Sequence, residues 1–312
     1  MKDMRLQPID IERYAGGNTG IDHVWHFAGP VSGPHAAILA LMHGNELCGA
    51  HALAFLLDSG LRPARGALTL AFANVDAYRS LDPANPNAAR CLDEDMNRVW
   101  SPDVLDGPRQ SRDLARARLL RPVFDKVDLL LDLHSMQTES PPLVLSGPLP
   151  KGRAFARTLG VPAHIVADAG HANGVRLRDY GGFGDPGSQK NALLVECGQH
   201  YDPASADVAI DCCLRFLTAA GMLDRAAAVS LRPLPPAQPQ RVVEVTEAVM
   251  ITGDSFTFTA EYRGMEVIPR AGTVIGHDGD RPVATPYDDC VMVMPSKRQT
   301  RGQTAVRFGR LV

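Results

Sequence analysis

The sequence predicts an α/β fold, in which a mixed, mostly parallel sheet carries helices on both faces and a small all-β domain follows. Apolar runs alternate with helical patterns through the first two thirds of the chain, as is typical of parallel strands covered on both faces. The segment "SLRPLPPAQPQR" (230–241) holds four prolines and predicts a stiff connector. Short β-like runs follow it. The predicted organisation is therefore an α/β domain over 1–229, a connector over 230–241 and an all-β domain over 242–312.

Each predicted element of the α/β domain has its own sequence pattern. Uninterrupted apolar runs predict buried strands, and they lie at 35–42, 66–75, 128–135, 142–147, 163–170 and 191–198. Apolar residues at helical spacing predict helices, and they lie at 47–60, 112–127 and 204–221. Pro122 is expected to interrupt the second of these helices, because proline lacks the backbone N–H that continues the hydrogen-bond ladder.

The C-terminal domain is predicted from short runs rich in β-branched and aromatic residues, with Gly and Pro between them. "HDGD" (277–280) is a turn candidate. The runs are "VVEVTEAVMIT" (242–252), "SFTFTAEY" (255–262), "TVIGHDGD" (273–280), "DDCVMVM" (288–294) and "TAVRFGRLV" (304–312).

The bulk composition is that of a globular protein with a sizeable core. The 312 residues are 45% hydrophobic and 21% charged, with a net charge of −3. Long runs of like charge are missing from the sequence, which argues against nucleic acid or an anionic membrane as a partner. No apolar stretch approaches the roughly 18 residues of a membrane helix, and the N-terminus lacks a signal-peptide pattern. Six cysteines without paired spacing lead us to expect reduced thiols and a cytoplasmic protein.

Polar side chains follow four of the predicted strands, at the point where each strand ends. They are His43, Asn74, His134 and Glu196. Ligands of open α/β sheets bind beyond the carboxyl ends of the strands. We therefore expect a functional site at this edge of the sheet.

A zinc site is the first interpretation of His43, Glu46 and His134. Catalytic zinc takes three protein ligands and leaves one position open. His43 and Glu46 lie in "HGNE", where Gly44 allows the chain to turn, and His134 ends the apolar run "LLLDLH". Asp132 shares the strand face of His134, where a carboxylate can hold the N–H of a metal-bound imidazole.

Glu196 is the candidate general base. It ends the apolar run "NALLVE", and burying a lone carboxylate costs several kcal/mol unless the group has a partner or a raised pKa. Cys197 is its neighbour and should face the opposite way on a strand. We expect Cys197 to pack in the core and Glu196 to face the site.

The stretch "RCLDEDMNRVW" (90–100) is too polar for a core and predicts an anion-binding loop, with Arg90, Asn97 and Arg98 as its key residues. Each of these candidates has a plainer explanation when taken alone. An isolated HxxE arises by chance, His134 could be a hydrogen-bonded histidine at a strand end, and the loop could be a solvated turn. Their convergence on one sheet edge favours the functional interpretation.

Four segments together resemble the succinylglutamate desuccinylase/aspartoacylase family of zinc hydrolases, which are relatives of the zinc carboxypeptidases. They follow the family's order, and each is a weak signal alone. The proline-rich connector and the terminal β domain are also similar to the family's layout. The segments are "HGNELCG" (43–49), "NPNAARCLDEDMNR" (85–98), "LDLHS" (131–135) and "VECGQ" (195–199).

The resemblance implies a zinc-carboxypeptidase-like fold and hydrolysis of the N-acyl amide of a small amino-acid derivative. One Zn²⁺ per chain would be held by His43, Glu46 and His134. Other residues would act on the substrate: Glu196 as the general base, Arg90 on the oxyanion, Asn97 and Arg98 on a carboxylate, and Tyr287 as a closing residue over the substrate. No nucleic acid or membrane partner is implied, and a homo-oligomer remains open.

One position departs from the family pattern. Aspartoacylases carry an arginine ten positions before the catalytic Glu, and here that position is Pro186, in "GFGDPG" (182–187). Arg176 or Arg178 could substitute from a different loop, and the glycine-rich loop itself is expected near the site. N-acetylaspartate is therefore not the expected substrate. The alternatives to a deacylase are a metallocarboxypeptidase that acts on peptides and a zinc-binding module without catalysis.

Overall fold

The computed structural model describes residues 4–170, 173–297 and 300–312. Its strands are β1 (Val24–Ala28), β2 (His35–Ala40), β3 (Ala67–Phe72), β4 (Leu129–Met136), β5 (Leu143–Leu145), β6 (His164–Ala167), β7 (Asn191–Gln199), β8 (Arg241–Met250), β9 (Phe256–Phe258), β10 (Glu266–Ile268), β11 (Val274–Asp278), β12 (Arg281–Ala284), β13 (Cys290–Val293) and β14 (Thr304–Leu311). Its helices are α1 (Cys48–Asp58), α2 (Val75–Arg79), α3 (Pro102–Leu105), α4 (Arg112–Phe124), α5 (Pro150–Leu159), α6 (Pro203–Ala219) and α7 (Arg225–Leu231).

The main sheet has the strand order β1-β3-β2-β4-β7-β5-β6-β8-β14-β13-β10. Four neighbouring strands form a parallel block, since β2 pairs in parallel with both β3 and β4, and β4 pairs in parallel with β7. The short strand β5 pairs antiparallel with β7 and in parallel with β6. Both ends are antiparallel, from the pairing of β1 with β3 and of β8 with β14. The structure confirms the predicted α/β fold class with its mixed sheet.

Helices cover both faces of the sheet. Neighbouring residues of its central strands point in opposite directions, so each face carries its own set of apolar side chains for helices to pack against. Ile38 packs in one hydrophobic cluster with residues of α1, α5 and α6. The next residue, Leu39, packs in a second cluster with residues of α3 and α4. Both side chains are fully buried, and each such leucine or isoleucine contributes about 1.5–3 kcal/mol of burial free energy.

The helix predicted over 204–221 illustrates how local sequence determines an element. Helix α6 begins with Pro203 at its first position, where a missing N–H costs nothing. The Asp202 side chain caps it by accepting a hydrogen bond from the Ala204 N–H at 3.0 Å. One apolar side of the helix, which includes Leu214 and Leu217, then packs in the cluster of Ile38.

The C-terminal strands extend the main sheet, which the sequence did not predict. Strand β8 pairs in parallel with β6, and β14, β13 and β10 follow it outwards. A separate sheet has the order β12-β11-β9. The all-β character of this region agrees with the prediction, and the division of the chain at 230–241 stays a prediction.

The expected interruption at Pro122 is wrong. Helix α4 runs through this proline to Phe124. Pro122 lies in the last turn, so the helix gives up one hydrogen bond close to its end, where several carbonyls lack helical partners in any case. Among the described residues, no helix is both long and apolar enough to cross a lipid bilayer.

Candidate active site

The predicted site residues meet at the carboxyl edge of the parallel strands. His43 follows β2, while His134 and Glu196 lie opposite each other in the register of β4 and β7. Gly44 is required here by a close approach, since a Cβ would lie 2.4 Å from the backbone of Ala77 and 2.5 Å from the carbonyl oxygen of Ala89. The segment after β2 therefore passes directly over its neighbours and aims His43 at the site.

His43, Glu46 and His134 form a buried group that could hold a metal ion. One ligand atom from each lies within 4.8 Å of the other two. The two carboxylate oxygens of Glu46 lie 2.8 Å from His43 Nδ1 and 2.9 Å from His134 Nδ1. Two imidazole nitrogens and a carboxylate are a donor set that suits zinc.

The outer nitrogen of each imidazole faces a second carboxylate. Asp95 Oδ1 lies 2.9 Å from His43 Nε2, and Asp132 Oδ2 lies 3.0 Å from His134 Nε2. Such contacts fix the tautomer and the orientation of a ligating histidine. Asp132 is where its strand position predicted it, whereas the contact of Asp95 with His43 was not foreseen.

The electrostatics of this group are those of tightly packed opposite charges. Burial opposes ionisation of Glu46, but His43 and His134 hold the pKa of its carboxyl well below the usual range. Burial likewise opposes the charge on His134, while Asp132 and Glu46 raise its pKa well above the ordinary value. The group therefore favours a cation between its members, whether a proton or a metal ion.

Glu196 lies beside this group in a different state. It is 6% exposed, and no described residue gives its Oε2 atom a hydrogen bond. Burial raises the pKa of its carboxyl group to about 8. The nearby His134 works against this rise, and the negative charge of Glu46 adds to it. Cys197 packs on the other side of β7 in the hydrophobic core, as predicted. The Oε2 atom of Glu196 is therefore available to accept a hydrogen bond or a proton from a molecule in the site.

Arg90 bridges two acidic side chains of the site. Its Nη1 donates to Glu46 Oε1 at 3.0 Å and its Nη2 to Asp95 Oδ2 at 3.1 Å. Burial works against its charge, but Asp95 and Glu46 outweigh it and raise the pKa of Arg90. The guanidinium is held firmly at the rim of the metal-ligand group.

Asn97 and Arg98 lie on the same loop and face the same space. Asn97 Oδ1 accepts from the Leu177 N–H at 3.0 Å, and Asn97 Nδ2 lies 3.5 Å from His134 Nε2. Arg98 Nη1 donates to the Asn97 carbonyl at 2.7 Å. Burial, only partly offset by Asp95, lowers the pKa of Arg98 to about 10, so its surroundings undercompensate its charge.

Asp113 anchors the loop that carries these residues, a role that the sequence did not indicate. Its Oδ1 accepts from Asn74 Nδ2 at 2.6 Å and from the Leu92 N–H at 3.2 Å. Its Oδ2 accepts from the N–H groups of Asp93 at 2.7 Å and Glu94 at 3.1 Å. Asn74, expected in the site, is instead part of this anchor.

A cavity of about 520 Å³ lies above the group and contains most of the predicted site. Asp168, His200 and Arg307 line it too, although no sequence pattern pointed to them. The predicted residues in its lining are His43, Glu46, Arg90, Asn97, Arg98, His134 and Glu196.

A larger cavity of about 680 Å³ lies elsewhere, between the loop after β4 and the start of α6. Its acidic lining includes Glu139, Asp202 and Glu261. Among the described residues, only His43, Glu46 and His134 have the geometry of a metal-ligand group. Chemistry, and not volume, therefore identifies the smaller cavity as the candidate site.

Tyr287 does not line the candidate cavity, contrary to expectation. Its hydroxyl hydrogen-bonds with Thr246 Oγ1 at 2.5 Å, and the Arg310 guanidinium carbon lies 3.5 Å from the centre of its ring. These two contacts hold the tyrosine against β8 and β14. This conformation gives it no contact with a molecule in the cavity.

The glycine-rich loop 182–187 also lies outside the cavity lining. Lys151 Nζ fixes it by donating to backbone carbonyls that include those of Gly182 at 3.0 Å and Asp185 at 2.7 Å, so the loop does not border the site as expected. Arg178 is bound to the carbonyls of Ser146 and Ala192. Arg176 does line the cavity.

Comparisons with known proteins agree with this geometry. Residues 32–211 match the family model described as the succinylglutamate desuccinylase/aspartoacylase catalytic domain. A search of curated protein sequences gave no match.

Solved structures resemble the fold across nearly the whole chain. Succinylglutamate desuccinylase from Vibrio cholerae aligns at TM-score 0.69 and 19% identity, over 94% of this chain and 86% of its own. The Vibrio parahaemolyticus protein of that name aligns at 0.67 and 18%, over 93% and 86%. The ectoine utilization protein EutE (DoeB) of Ruegeria pomeroyi aligns at 0.62 and 16%, over 92% and 87%.

Proposed function

Because the chain belongs to the succinylglutamate desuccinylase/aspartoacylase family, we propose that it is a zinc-dependent amidohydrolase that cleaves the N-acyl amide of a small carboxylate-bearing amino-acid derivative. The observation that carries the proposal is the convergence of three buried ligand atoms beside a buried carboxyl with unused accepting capacity. Structural zinc sites are usually closed by four ligands. Three ligands next to a candidate base are the arrangement of a hydrolytic site.

His43, Glu46 and His134 would hold one zinc ion per chain. A bound zinc ion supplies Lewis acidity and lowers the pKa of a water molecule. The chain's own contribution is to keep both imidazoles in one tautomer, because Asp95 and Asp132 face their outer nitrogens at 2.9 Å and 3.0 Å. Ser135 adds a backbone N–H that donates to Glu46 Oε2 at 3.1 Å.

Glu196 would take a proton from the attacking water and pass it to the nitrogen of the departing amine. Its burial beside the metal-ligand group and its Oε2 atom, to which no described residue gives a hydrogen bond, suit a general base. One oxygen of Glu196 can accept the proton of the water and then donate it to the amine nitrogen, so this transfer needs no second residue of the described chain.

Arg90 would stabilise the oxyanion that develops when water adds to the amide carbonyl. Its contacts with Glu46 and Asp95 orient the guanidinium before the substrate arrives, so little reorganisation is needed at the reaction step. Asn97 and Arg98 would hold a substrate carboxylate, and the planar guanidinium of Arg98 suits a bidentate contact.

The size and boundary of the cavity favour a small substrate over a peptide. Segments of the C-terminal region border it, through Met294 to Lys297 and Gln303. A volume of about 520 Å³ lies in the range of sites for small molecules. The metallocarboxypeptidase alternative requires an open groove for a long chain.

The test combines metal analysis with a substrate panel. The purified protein, loaded with zinc, should bind one equivalent and hydrolyse at least one N-acyl amino acid faster than a hexapeptide. N-acetylaspartate should be turned over more slowly than the best substrate, since Pro186 occupies the position of the family arginine. A clear preference for the hexapeptide would establish the carboxypeptidase alternative. Bound zinc without any hydrolysis would indicate a non-catalytic module.

A further inference from the structure

The strand pair that carries His134 and Glu196 becomes irregular directly beyond these two residues. His134 lies opposite Glu196 and Met136 lies opposite Gln199 in the register, so two steps along β4 correspond to three along β7. Gly198, within the longer stretch, has a φ of +121°, a backbone conformation that favours glycine. An extra residue of this kind is a β-bulge, which interrupts the ladder of backbone hydrogen bonds. The regular pairing of the two strands therefore stops at the candidate site.

A contact between Ser135 and His200 joins the two strands again beyond the bulge. Ser135 Oγ lies 2.8 Å from His200 Nδ1, and the His200 N–H donates to the carbonyl of Met136 at 2.9 Å. Ser135 is 4% exposed and His200 is 2% exposed. A hydrogen bond in such a buried place is strengthened by the low dielectric, and its loss is costly because water does not replace it.

His200 belongs to a segment that the rest of the fold holds in place. The N–H of the next residue, Tyr201, donates to Gln199 Oε1 at 2.9 Å, and the Tyr201 carbonyl accepts from the Leu6 N–H at 2.9 Å. Tyr201 also packs in the hydrophobic cluster that contains Ile38. The imidazole of His200 is therefore a fixed point to which the end of β4 is attached.

Ser135 connects this fixed point to the metal-ligand group in two ways. It directly follows His134 in the chain, and its backbone N–H donates to Glu46 Oε2 at 3.1 Å. Glu46 Oε2 also lies 2.9 Å from His134 Nδ1. A displacement of Ser135 would therefore move two candidate zinc ligands together, one through the chain and the other through its hydrogen bond.

We propose that Ser135 and His200 are a pair of positioning residues, whose side-chain contact holds His134 and Glu46 in the arrangement that binds the metal ion. The pair acts through the backbone at the end of β4. The carboxylates at the outer imidazole nitrogens orient the rings, whereas this pair fixes the place of the strand end that carries a ligand. The inference rests on the proposed function, from which it takes zinc as the ion.

The first measurement is the zinc affinity of the folded protein, determined by competition with a chelating dye. Ser135→Ala removes the hydroxyl group and keeps the backbone N–H that reaches Glu46. Its zinc affinity should fall by about tenfold, the lower end of the range for groups that support metal ligands from outside.

Two substitutions of His200 separate its nitrogens. His200→Asn places an amide group where Nδ1 lies, whereas His200→Gln places it where Nε2 lies. An amide can donate or accept, so His200→Asn should keep the contact with Ser135 and bind zinc within about threefold of the wild type. His200→Gln should lose about tenfold in zinc affinity, as Ser135→Ala does. The comparison isolates the contact with Ser135 from every other contact of the imidazole.

A double variant tests whether the two residues act through one contact. Ser135→Ala combined with His200→Gln should bind zinc as weakly as either single variant and no more weakly, because two changes that remove the same contact are not additive. Losses that multiply to about 100-fold would mean that the residues act independently.

Thr69→Val is the matched control. Thr69 Oγ1 lies 2.8 Å from His35 Nε2, a hydroxyl–imidazole contact of the same kind, and His35 begins β2 at the end away from the site. This variant should lower the Tm of the metal-free protein, as Ser135→Ala should, because a polar contact is lost. Its zinc affinity should equal that of the wild type, which separates positioning of the ligands from general stability.

Wild-type zinc affinity in Ser135→Ala, or equal affinity in His200→Asn and His200→Gln, would overturn the proposal. If Ser135→Ala does not fold, the two His200 variants decide. Wild-type protein that binds one equivalent of zinc and hydrolyses no amide contradicts the proposed function, and the affinity comparison still tests the positioning pair. Wild-type protein that binds no zinc would overturn both.

Discussion

Two buried carboxylates on the α/β part of the molecule have opposite environments. Asp113 is fully buried, and four donors from the site loop and from Asn74 hydrogen-bond to its two oxygens. Glu196 is also buried, but no described residue gives its Oε2 a hydrogen bond. The first carboxylate is saturated by the protein and the second is left with capacity for a ligand.

The difference separates a structural carboxylate from a reactive one. Burying a carboxyl group while one of its oxygens receives no hydrogen bond costs free energy, so a fold that keeps Glu196 in that state forgoes stability. Such an arrangement is typical of functional sites. Asp113 instead stabilises the loop that carries Arg90, Asn97 and Arg98. The two regions should therefore respond in opposite ways to substitution.

The largest effect is expected from His134→Ala, on the reactive side of the comparison. This variant should lose zinc affinity by more than about 100-fold, because removing even an outer partner of a ligand costs roughly 10–100-fold. The fold should survive, since the site lies at strand ends and not in the core. Metal analysis and circular dichroism measure the two outcomes. His35→Ala, at the opposite end of β2, should retain the metal, and wild-type metal content in His134→Ala would remove His134 from the ligand set.

Glu196→Gln should keep bound zinc and lose amidase activity by at least about 10²-fold, the typical contribution of a general base. Its free energy of unfolding should equal or exceed that of the wild type, because a poorly solvated carboxyl is replaced by a neutral amide. Steady-state kinetics and urea denaturation check both statements. An unchanged kcat would reject the role given to Glu196.

Asp113→Ala should show the reverse pattern. It leaves the buried Asn74 amide and three partly buried backbone N–H groups without their acceptor, and an unsatisfied donor costs about 1–3 kcal/mol when it is buried and less when water reaches it. We expect a loss of about 3 kcal/mol or more in unfolding free energy, measured by urea denaturation, with zinc still bound by the folded fraction. Asp113→Asn, which keeps one acceptor oxygen, should lose less. A variant as stable as the wild type would show that the loop does not depend on Asp113.

The residues of the candidate site could be predicted from the sequence because each of them adjoins a strand that its own apolar run identifies. His43, His134 and Glu196 adjoin apolar runs, and parallel strands bring their carboxyl ends to one edge. The fold class followed from the same runs. The extent of the sheet did not, because the pairing of β8 with β6 joins segments that no local pattern links.

The contacts of Asp113 and Asp95 could not be predicted, because they too join segments that are far apart in the sequence. Asp113 lies in a helix pattern and Asp95 in a polar loop. Neither position indicates that tertiary packing will bring Asp113 to the 92–94 backbone or Asp95 to His43. Arg307 alternates within a strand like any other polar residue. Tyr287 was expected in the site from resemblance alone, and its contacts with Thr246 and Arg310 hold it elsewhere.

The smallest predicted effect is a pH dependence that belongs to Glu196. In the metal-free protein, burial raises the pKa of this carboxyl to about 8, whereas in the unfolded chain it ionises near its ordinary value of about 4.3. Between about pH 5 and 8 the unfolded state has therefore lost a proton that the native state keeps, so native stability falls as pH rises. Glu196→Gln removes this contribution.

The stability difference between Glu196→Gln and the wild type should accordingly grow with pH across this window and level off above it. Urea denaturation with a chelator at several pH values measures it. A difference that stays constant would mean that the native fold already holds Glu196 ionised, and the contrast with the saturated Asp113 would then disappear.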